Sequence, residues 1–294
     1  MNNAVLSGPL SGSRIAANFS YIETLAADVD PNIIYDIIIR GDHNGAIVYI
    51  MRDAFSSAAA ERVVGNFDQL LSQTNGGNRA DDGFVKTNQI GATQFARSGE
   101  EYVREVIRTS SLSLSLLEGV THDEIEQIFN TGLLEKTFAK KGLAFRSSRF
   151  KNISAGFSTL RRWLDNGQMS LMPHDDTAQL KCAEKDGYEI AKASHVVSYN
   201  AIVEASSKGG MLKVWNLNPD DECRERLGLV GTGYPYPVEE LSGVETITVQ
   251  LRQGDVYFLN SSFIHGVSSL PEGRRLSAGR FIAKISNDAV VYWT

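Results

Sequence analysis

The spacing of hydrophobic residues changes character near residue 150. Before that point, apolar residues recur at the spacing of amphipathic helices, and two short runs rich in β-branched residues are typical of strands. The predicted strands of this half are 33–39 and 45–50. The predicted helices are 55–71, about 99–109, and one that a capping box opens at 121–124. The connecting segments are expected to be a glycine-rich loop at 74–83, an extended piece within 84–95 and a basic connector at 140–151.

Beyond residue 150, short apolar runs alternate with turn signals. The predicted strands are 157–164, 169–172, 196–205, 211–217, 244–251, 256–259 and 275–285, with turns at 166–167, 208–210, 253–255 and 270–273. Many short strands separated by turns are typical of a sandwich or barrel. We therefore predict an α+β protein, with a double-stranded β-helix (jelly-roll, cupin-like) core at 151–294 and flanking helices mainly from 1–150. The chain, 1–294, is expected to be one domain, and the proline-containing loop 218–243 is a candidate lid.

Composition narrows the class of protein. The 294 residues are 42% hydrophobic and 22% charged, as in ordinary globular proteins. A net charge of −6 without a long basic run argues against nucleic-acid partners. No signal-peptide pattern opens the sequence, no apolar run has bilayer-spanning length, and two cysteines are too few for a disulfide framework. We expect a cytoplasmic protein that binds a small molecule and no membrane, with Cys182 and Cys223 reduced. The sequence leaves the oligomeric state open.

Two potential metal ligands, His174 and Asp176, follow the predicted strand 169–172, on chain that we expect to remain extended. Side chains two residues apart on a strand point to the same face, whereas Asp175 between them points to the other. A third potential ligand, His265, follows another apolar strand. Two imidazoles and one carboxylate with open positions form the facial triad of non-haem Fe(II) oxygenases. The His-x-Asp pair alone is weak evidence, because a strand histidine followed by a turn aspartate is the better explanation of the pair by itself.

An arginine on the next predicted strand strengthens the metal-site interpretation. Arg275 and Ser277 share a face with residues that become apolar further along, so this face is expected to point inward. An unpaired guanidinium would be costly there, and a carboxylate bound through two hydrogen bonds would remove that cost. Arg280 and Lys284 share the opposite face, which we expect to be solvated.

The other histidines and the tryptophans have simpler explanations. His43 and His122 show no partner pattern, and His195 is expected to be structural because it opens a strand. Trp163 and Trp215 are expected to be core aromatics. Neither cysteine has metal-ligand spacing, so a zinc-thiolate site does not compete for the histidines.

In this order, His174-x-Asp176, His265 and Arg275-x-Ser277 resemble the Fe(II)/2-oxoglutarate-dependent dioxygenase superfamily. A closer resemblance is to the freestanding halogenases of the hapalindole and welwitindolinone pathways and the related N-substituted L-amino acid hydroxylases. It rests on segments 197–199, 209–214, 265–268, 274–275 and 291–294, and covers 155–294 well but the first half only loosely. The resemblance implies that His174, Asp176 and His265 bind Fe(II). It also implies that Arg275 and Ser277 anchor the far carboxylate of 2-oxoglutarate, with O2 as co-substrate.

One departure from the halogenases bears on the reaction. They carry glycine where this chain has Asp176, and the glycine frees an iron position for chloride. With the carboxylate present, the resemblance implies hydroxylation of an unactivated C–H bond. The implied substrate is a free small molecule such as an amino-acid derivative, for example an N-acyl amino acid.

Residues that contact the substrate are less well defined. The halogenase resemblance places the segment 87–95 over the iron, and a substrate carboxylate would need a cation. The candidate substrate residues are Gln89, Ile90, Phe95, Arg97, Arg161 and Ser198. For each of the two arginines, the alternative is an exposed and solvated side chain.

Two other classes of function fit parts of the pattern. A cupin-like metal-dependent isomerase or lyase would use the same triad without 2-oxoglutarate, and would have no need for Arg275 as an inward carboxylate anchor. A non-catalytic jelly-roll binding module would need no intact triad and would consume no oxygen with Fe(II).

Overall fold

The computed structural model describes residues 10–74, 87–164 and 169–294. The helices are α1 Pro31–Arg40, α2 Ser57–Gln73, α3 Gly99–Ser115, α4 His122–Phe129, α5 Thr131–Ala139, α6 Ala178–Glu184 and α7 Asp221–Leu227, with 3-10 turns at Ala26–Asp28, Glu189–Lys192 and Glu239–Leu241. The strands are β1 Gly12–Ser13, β2 Ser20–Leu25, β3 Ala46–Arg52, β4 Thr87–Ile90, β5 Ala144–Ser147, β6 Arg149–Phe150, β7 Ile153–Ser154, β8 Thr159–Trp163, β9 Leu171–His174, β10 Val197–Glu204, β11 Leu212–Trp215, β12 Asn218–Pro219, β13 Thr246–Val249, β14 Val256–Asn260, β15 His265–Val267, β16 Arg275–Lys284 and β17 Ala289–Trp293.

The larger sheet has the strand order β2-β3-β14-β10-β16-β17-β5. Strand β16 is long enough to pair with two strands along one edge. Its first half pairs with β8, which in turn pairs with β4, and its second half pairs with β17. This arrangement brings the segment 87–90 from the first half of the chain to the sheet that carries Arg275.

A smaller sheet, of order β13-β11-β15-β9, shares a hydrophobic core with the larger one. Leu212 and Val214 of β11 pack in one cluster with Ile202 of β10 and with Tyr257 and Leu259 of β14. Alternation along each strand directs these side chains into the space between the two sheets. The same alternation directs polar side chains into that space near the ends of β9 and β15.

Helices cover the other face of the larger sheet. Phe67 of α2, Phe129 of α4 and Phe138 of α5 are fully buried against Tyr199 and Phe258 of the sheet. The helical first half therefore supports the sheet that carries β10 and β16. The expected helices at 55–71 and 99–109 and the capping box at Thr121 are confirmed.

The predicted strand at 33–39 is wrong, because this segment is helix α1. Asp30 caps the helix by accepting a hydrogen bond from the Asn32 N–H, Pro31 occupies its first turn, and Gly41 ends it with φ 95°. The buried isoleucines of the helix are Ile34, Ile37 and Ile38, which have helical rather than alternating spacing. The β-branched composition of the run hid these start and stop signals.

The connecting segments contain more structure than the sequence pattern predicted. The basic connector at 140–151 includes β5 and β6, and the candidate lid at 218–243 includes β12, α7 and a 3-10 turn. The strand at 45–50 and the seven strands expected beyond residue 150 are confirmed within a few residues of the predicted bounds. The turn at 166–167 and nearly all of the loop at 74–83 lie outside the described residues.

The expectation that Arg280 on strand β16 is solvated is wrong. Arg280 lies on the face opposite Arg275, as expected, but it is only 2% exposed rather than solvated. The helical layer covers that face, and the Arg280 guanidinium lies within 5.0 Å of the ring centroids of Tyr199 and Tyr292. It donates hydrogen bonds to the Phe129 carbonyl and the Thr131 hydroxyl. The helices therefore provide the partners that water was expected to provide.

Two further expectations concern single residues and membrane spans. Cys182 and Cys223 are both buried and free. Among the helices in the described ranges, none is both long enough and apolar enough to cross a membrane.

Candidate metal centre

Two neighbouring strands of the smaller sheet bring the potential metal ligands together. His174 ends β9 and His265 begins β15, and the two residues are direct partners in the antiparallel register. The chain then turns so that the Asp176 N–H donates to the Ser261 carbonyl. Pairing of distant strands therefore places both imidazoles beside the carboxylate.

The three side chains form a compact donor set. Each of His174, Asp176 and His265 offers one ligand atom, and these atoms all lie within 4.8 Å of one another. The Nε2 atom of His265 lies 3.5 Å from Asp176 Oδ2, and Nε2 of His174 lies 3.9 Å from Asp176 Oδ1. Within the described parts of the chain, this is the only group of three or more such residues that could hold a metal ion.

Hydrogen bonds fix which nitrogen of each imidazole is available. His174 Nδ1 donates to the Met172 carbonyl at 3.0 Å, and His265 Nδ1 donates to the Phe263 carbonyl at 2.9 Å. Because each Nδ1 carries the proton, each Nε2 has a free lone pair that faces Asp176. The two rings are thus held in the tautomer and orientation that metal ligation requires.

Burial sets the electrostatics of the donor set. It lowers the pKa of His174 well below the usual value for histidine, and the nearby His265 acts in the same direction. Burial also raises the pKa of Asp176, against the opposing effect of His265. The neutral His174 imidazole and a carboxylate beside it suit a divalent metal ion, and two histidines with one carboxylate fit Fe(II).

A cavity beside the donor set is lined by the inward face of β16. Arg275, Ser277, Gly279 and Phe281 all line it, as the alternation along the predicted strand indicated. Arg275 is 3% exposed, donates to the Gly210 carbonyl at 2.9 Å and hydrogen-bonds Tyr257. Its Nε–H is buried without a hydrogen-bond partner among the described residues. This unpaired donor fits a bound carboxylate, which is what 2-oxoglutarate would supply.

A second space also touches the donor set and shares part of its lining with the cavity. Arg161 and Trp163 of β8 line both spaces, together with His174 and Asp176. Arg161 Nε donates to Gln89 Oε1 at 3.0 Å, and its Nη2 donates to Thr93 Oγ1 at 2.7 Å. The hydrogen bonds hold the guanidinium beside the potential metal ligands.

The six candidate substrate residues differ in their positions. Phe95 lines the second space and Ser198 the first, whereas Gln89 is buried and holds Arg161. Ile90 is fully buried in the main hydrophobic core, on the opposite face of β4 from Gln89. Arg97 donates to the Thr93 carbonyl and lines neither space.

Other residues around the cavity had no signal in the sequence. Tyr257 contacts Arg275, and Tyr234 lies edge-on to His174 with ring centroids 5.9 Å apart. Trp163 is buried as expected, but it also lines both spaces and donates to Ser277 Oγ at 3.3 Å. The positions of these aromatic residues depend on tertiary contacts, so spacing along the chain could not indicate them.

Known proteins resemble this chain in sequence and in fold. Residues 152–294 match the family described as the carrier-protein-independent halogenase WelO5. The L-isoleucine 3(1)-dioxygenase of Pantoea ananatis (strain AJ13355) is 50% identical over 285 residues, which cover 97% of this chain and 96% of that protein.

Among solved structures, an N-substituted L-amino acid dioxygenase from Burkholderia ambifaria AMMD superposes with a TM-score of 0.51 at 14% identity. The match covers 85% of this chain and 87% of that one, and at this identity it shows a shared fold. The stretch that matches the halogenase family spans the positions of His174, Asp176 and His265. With half of its residues identical to those of a dioxygenase along nearly its whole length, this chain belongs to the Fe(II)/2-oxoglutarate-dependent dioxygenases.

Proposed function

We propose that the enzyme hydroxylates an unactivated C–H bond in the side chain of a free aliphatic amino acid such as L-isoleucine. The observation that carries the proposal is a cavity whose lining includes the donor set and also Arg275 and Arg161. One cation serves the cosubstrate and the other serves the substrate. The substrate class is that of the 50% identical relative, which is named for L-isoleucine.

In this proposal His174, Asp176 and His265 hold Fe(II), and Arg275 with Ser277 holds the far carboxylate of 2-oxoglutarate. When bound, iron together with 2-oxoglutarate and O2 supplies the oxidising chemistry, and 2-oxoglutarate becomes succinate and CO2. The protein orients both organic molecules and excludes water. Asp176 occupies the position that halogenases leave open for halide, which supports hydroxylation as the outcome.

The second space has the character that an amino-acid substrate requires. Arg161 offers a cation for the α-carboxylate, held in place by Gln89 and Thr93. The apolar part of the wall can face an aliphatic side chain and consists of Phe95, Leu171, Tyr234 and Phe281. A charged anchor at one end and an apolar wall near the metal ligands would orient a C–H bond toward the iron.

The proposal includes a finer description of the fold. The two sheets that share a core are the halves of a double-stranded β-helix, the jelly-roll of cupin-like proteins. Residues 151–294 supply its core and 1–150 supply supporting helices and the segment beside the substrate, all within one domain. The substrate is a small molecule, and nucleic acid has no part in the proposed reaction.

Activity measurements with arginine variants test the proposal. The purified enzyme with Fe(II), 2-oxoglutarate and O2 should convert L-isoleucine to a hydroxylated product, with one succinate per product. Arg161→Met should lower kcat/KM for L-isoleucine about 10- to 150-fold, since a hydrogen bond to a charged group contributes about 1.5–3 kcal/mol.

Arg97→Met is the matched control, because Arg97 lies nearby but lines neither space. It should leave kcat/KM within about twofold, because the Arg97 guanidinium bonds the Thr93 backbone carbonyl and lines neither space. A parallel assay with N-acyl-L-isoleucine compares the free and N-substituted substrate classes. Turnover of the N-acyl compound alone would contradict the proposal, as would a larger loss from Arg97→Met than from Arg161→Met.

A further inference from the structure

We propose that Asp175 is a positioning residue that fastens residues 221–236, here called the wall segment, to the strand of metal ligands. The segment thereby forms a fixed wall of the second space, in which the proposed substrate binds and which is called the substrate space from here on. It is not a mobile lid. The inference rests on the proposed function for the identity of the substrate. The contacts that carry it lie outside the donor set itself.

The side chain of Asp175 points away from the metal ligands on either side of it. It is 1% exposed, and its carboxylate accepts a hydrogen bond from the Tyr236 hydroxyl at 2.7 Å. It also accepts from Arg224 Nε at 3.2 Å and from Arg224 Nη2 at 3.3 Å. Arg224, itself 4% exposed, lies at the start of the wall segment and Tyr236 at its end. One buried carboxylate therefore holds both ends of the segment.

A buried ion pair of this kind is better suited to fixing geometry than to adding stability. The cost of removing both charges from water offsets most of their attraction, whereas loss of one partner leaves an unpaired buried charge. The pair therefore strongly favours the single arrangement in which Arg224 and Asp175 meet. That arrangement also fixes the position of the intervening chain.

Backbone contacts reinforce the same junction. The Asp175 N–H donates to the Gly233 carbonyl at 3.0 Å, and the Tyr236 N–H donates to the Pro173 carbonyl at 2.8 Å. Gly233 has φ +60°, and a Cβ atom there would lie 2.3 Å from the Asp175 carbonyl oxygen. The two segments of the chain approach so closely that only glycine fits at this position.

Tyr234 lies between these backbone contacts and connects the junction to function. Its ring packs edge-on to His174 and lines the substrate space with Phe95 and Leu171. A small shift of the wall segment would therefore move Tyr234 while His174 and Asp176 remain in place. The expected consequence is poorer substrate orientation without loss of the metal or of 2-oxoglutarate.

Two variants and one matched control test the inference. Gly233→Ala inserts a methyl group into the junction, and Tyr236→Phe removes one hydrogen bond to Asp175. Gly231→Ala is the control, since a Cβ at Gly231 meets no atom within 4 Å. Both test variants should raise KM for the amino acid about fivefold or more and should increase the succinate formed per hydroxylated product. KM for 2-oxoglutarate should stay within about twofold, and Gly231→Ala should match the parent.

A purely structural role would give a different result. It would lower the melting temperature and the active fraction while both KM values and the succinate-to-product ratio matched the parent, and this outcome would overturn the inference. If Gly233→Ala does not fold, Tyr236→Phe decides the question alone.

Hydrogen exchange provides a readout that does not depend on the substrate. In the metal-free parent without substrate, the amides of Asp175 and Tyr236 should be protected from exchange, and Tyr236→Phe should exchange them faster. Rapid exchange in the parent would contradict a fixed wall. If the parent produces no hydroxylated L-isoleucine yet shows this protection, the substrate proposal has failed and the inference about Asp175 stands.

Discussion

The imidazole rings of His174 and His265 lie 4.1 Å apart between ring centroids, because their residues are direct partners on adjacent antiparallel strands. Each ring is oriented by a carbonyl two residues earlier in the chain, at Met172 and Phe263. Strand pairing thus sets the separation of the rings, and local hydrogen bonds set their orientation. Asp176 needs only to follow His174 by two residues to complete the donor set.

Arg275 and Arg280 lie on opposite faces of β16 and should have separable roles. Arg275→Met should raise KM for 2-oxoglutarate about 10- to 150-fold, because a charged hydrogen-bonding anchor is lost. Arg280→Met should leave that KM within about twofold but lower the free energy of unfolding by about 1–3 kcal/mol, because two buried hydrogen bonds are lost. Steady-state kinetics and urea unfolding measure the two effects. Similar kinetic losses in both variants would contradict the assigned faces.

Replacement of Asp176 should change the reaction rather than only stop it. In the proposed site, Asp176→Gly removes one protein ligand and opens a position that chloride can occupy. We expect hydroxylation to fall by at least about tenfold and a chlorinated amino acid to appear when chloride is supplied. Mass spectrometry of products from parent and variant, with and without chloride, measures this. Chlorinated product from the parent would contradict the role given to the carboxylate.

Ile90 should contribute to stability and not to substrate recognition. It is fully buried in the main core, so Ile90→Ala should lower the free energy of unfolding by about 2–5 kcal/mol. KM for the amino acid should remain within about twofold in the folded fraction, measured at a temperature well below the melting transition. A selective rise in KM with unchanged stability would instead assign Ile90 to the substrate space.

Stability of the metal-free protein should decrease on mild acidification, in part through His195. Burial lowers the pKa of His195 below 6.5, and the side chain bonds the Ile38 carbonyl. When the pKa of a histidine is lower in the folded state, its protonation does not reduce the free energy of unfolding at pH values above its unfolded pKa of about 6.5. As the pH falls below 6.5, the unfolded chain binds protons first and stability is lost. The urea concentration at the unfolding midpoint should decrease as the pH is lowered from about 8 to 5 in the parent. The decrease should be smaller in His195→Gln.

The sequence was most informative where side-chain alternation alone decides position. Alternation along the strand placed Arg275 and Ser277 inward, and the cavity confirms both. It also placed Asp175 opposite His174 and Asp176, where its carboxylate meets Arg224. The inference about β16 needed only a correct strand assignment, which short runs of apolar residues provide. The inference about Asp175 holds although β9 ends at His174.

The errors arose where the outcome depends on what packs against an element. The isoleucine run of α1 has the composition of a strand, and only the cap at Asp30 and the packing of its buried face reveal a helix. Arg280 was expected to be solvated because the sequence does not show that helices cover its face of the sheet. The contacts of Arg224 and Tyr236 with Asp175 likewise join segments far apart in the chain, so no local pattern could indicate them.

The most direct test of the cofactor site is an anaerobic titration of the metal-free protein with Fe(II) and 2-oxoglutarate, followed by visible absorption. We predict a weak metal-to-ligand charge-transfer band that requires both additions. The band should be lost in His265→Ala, and it should need a higher concentration of 2-oxoglutarate in Arg275→Met. A protein that binds Fe(II) but shows no band at saturating 2-oxoglutarate would contradict the account.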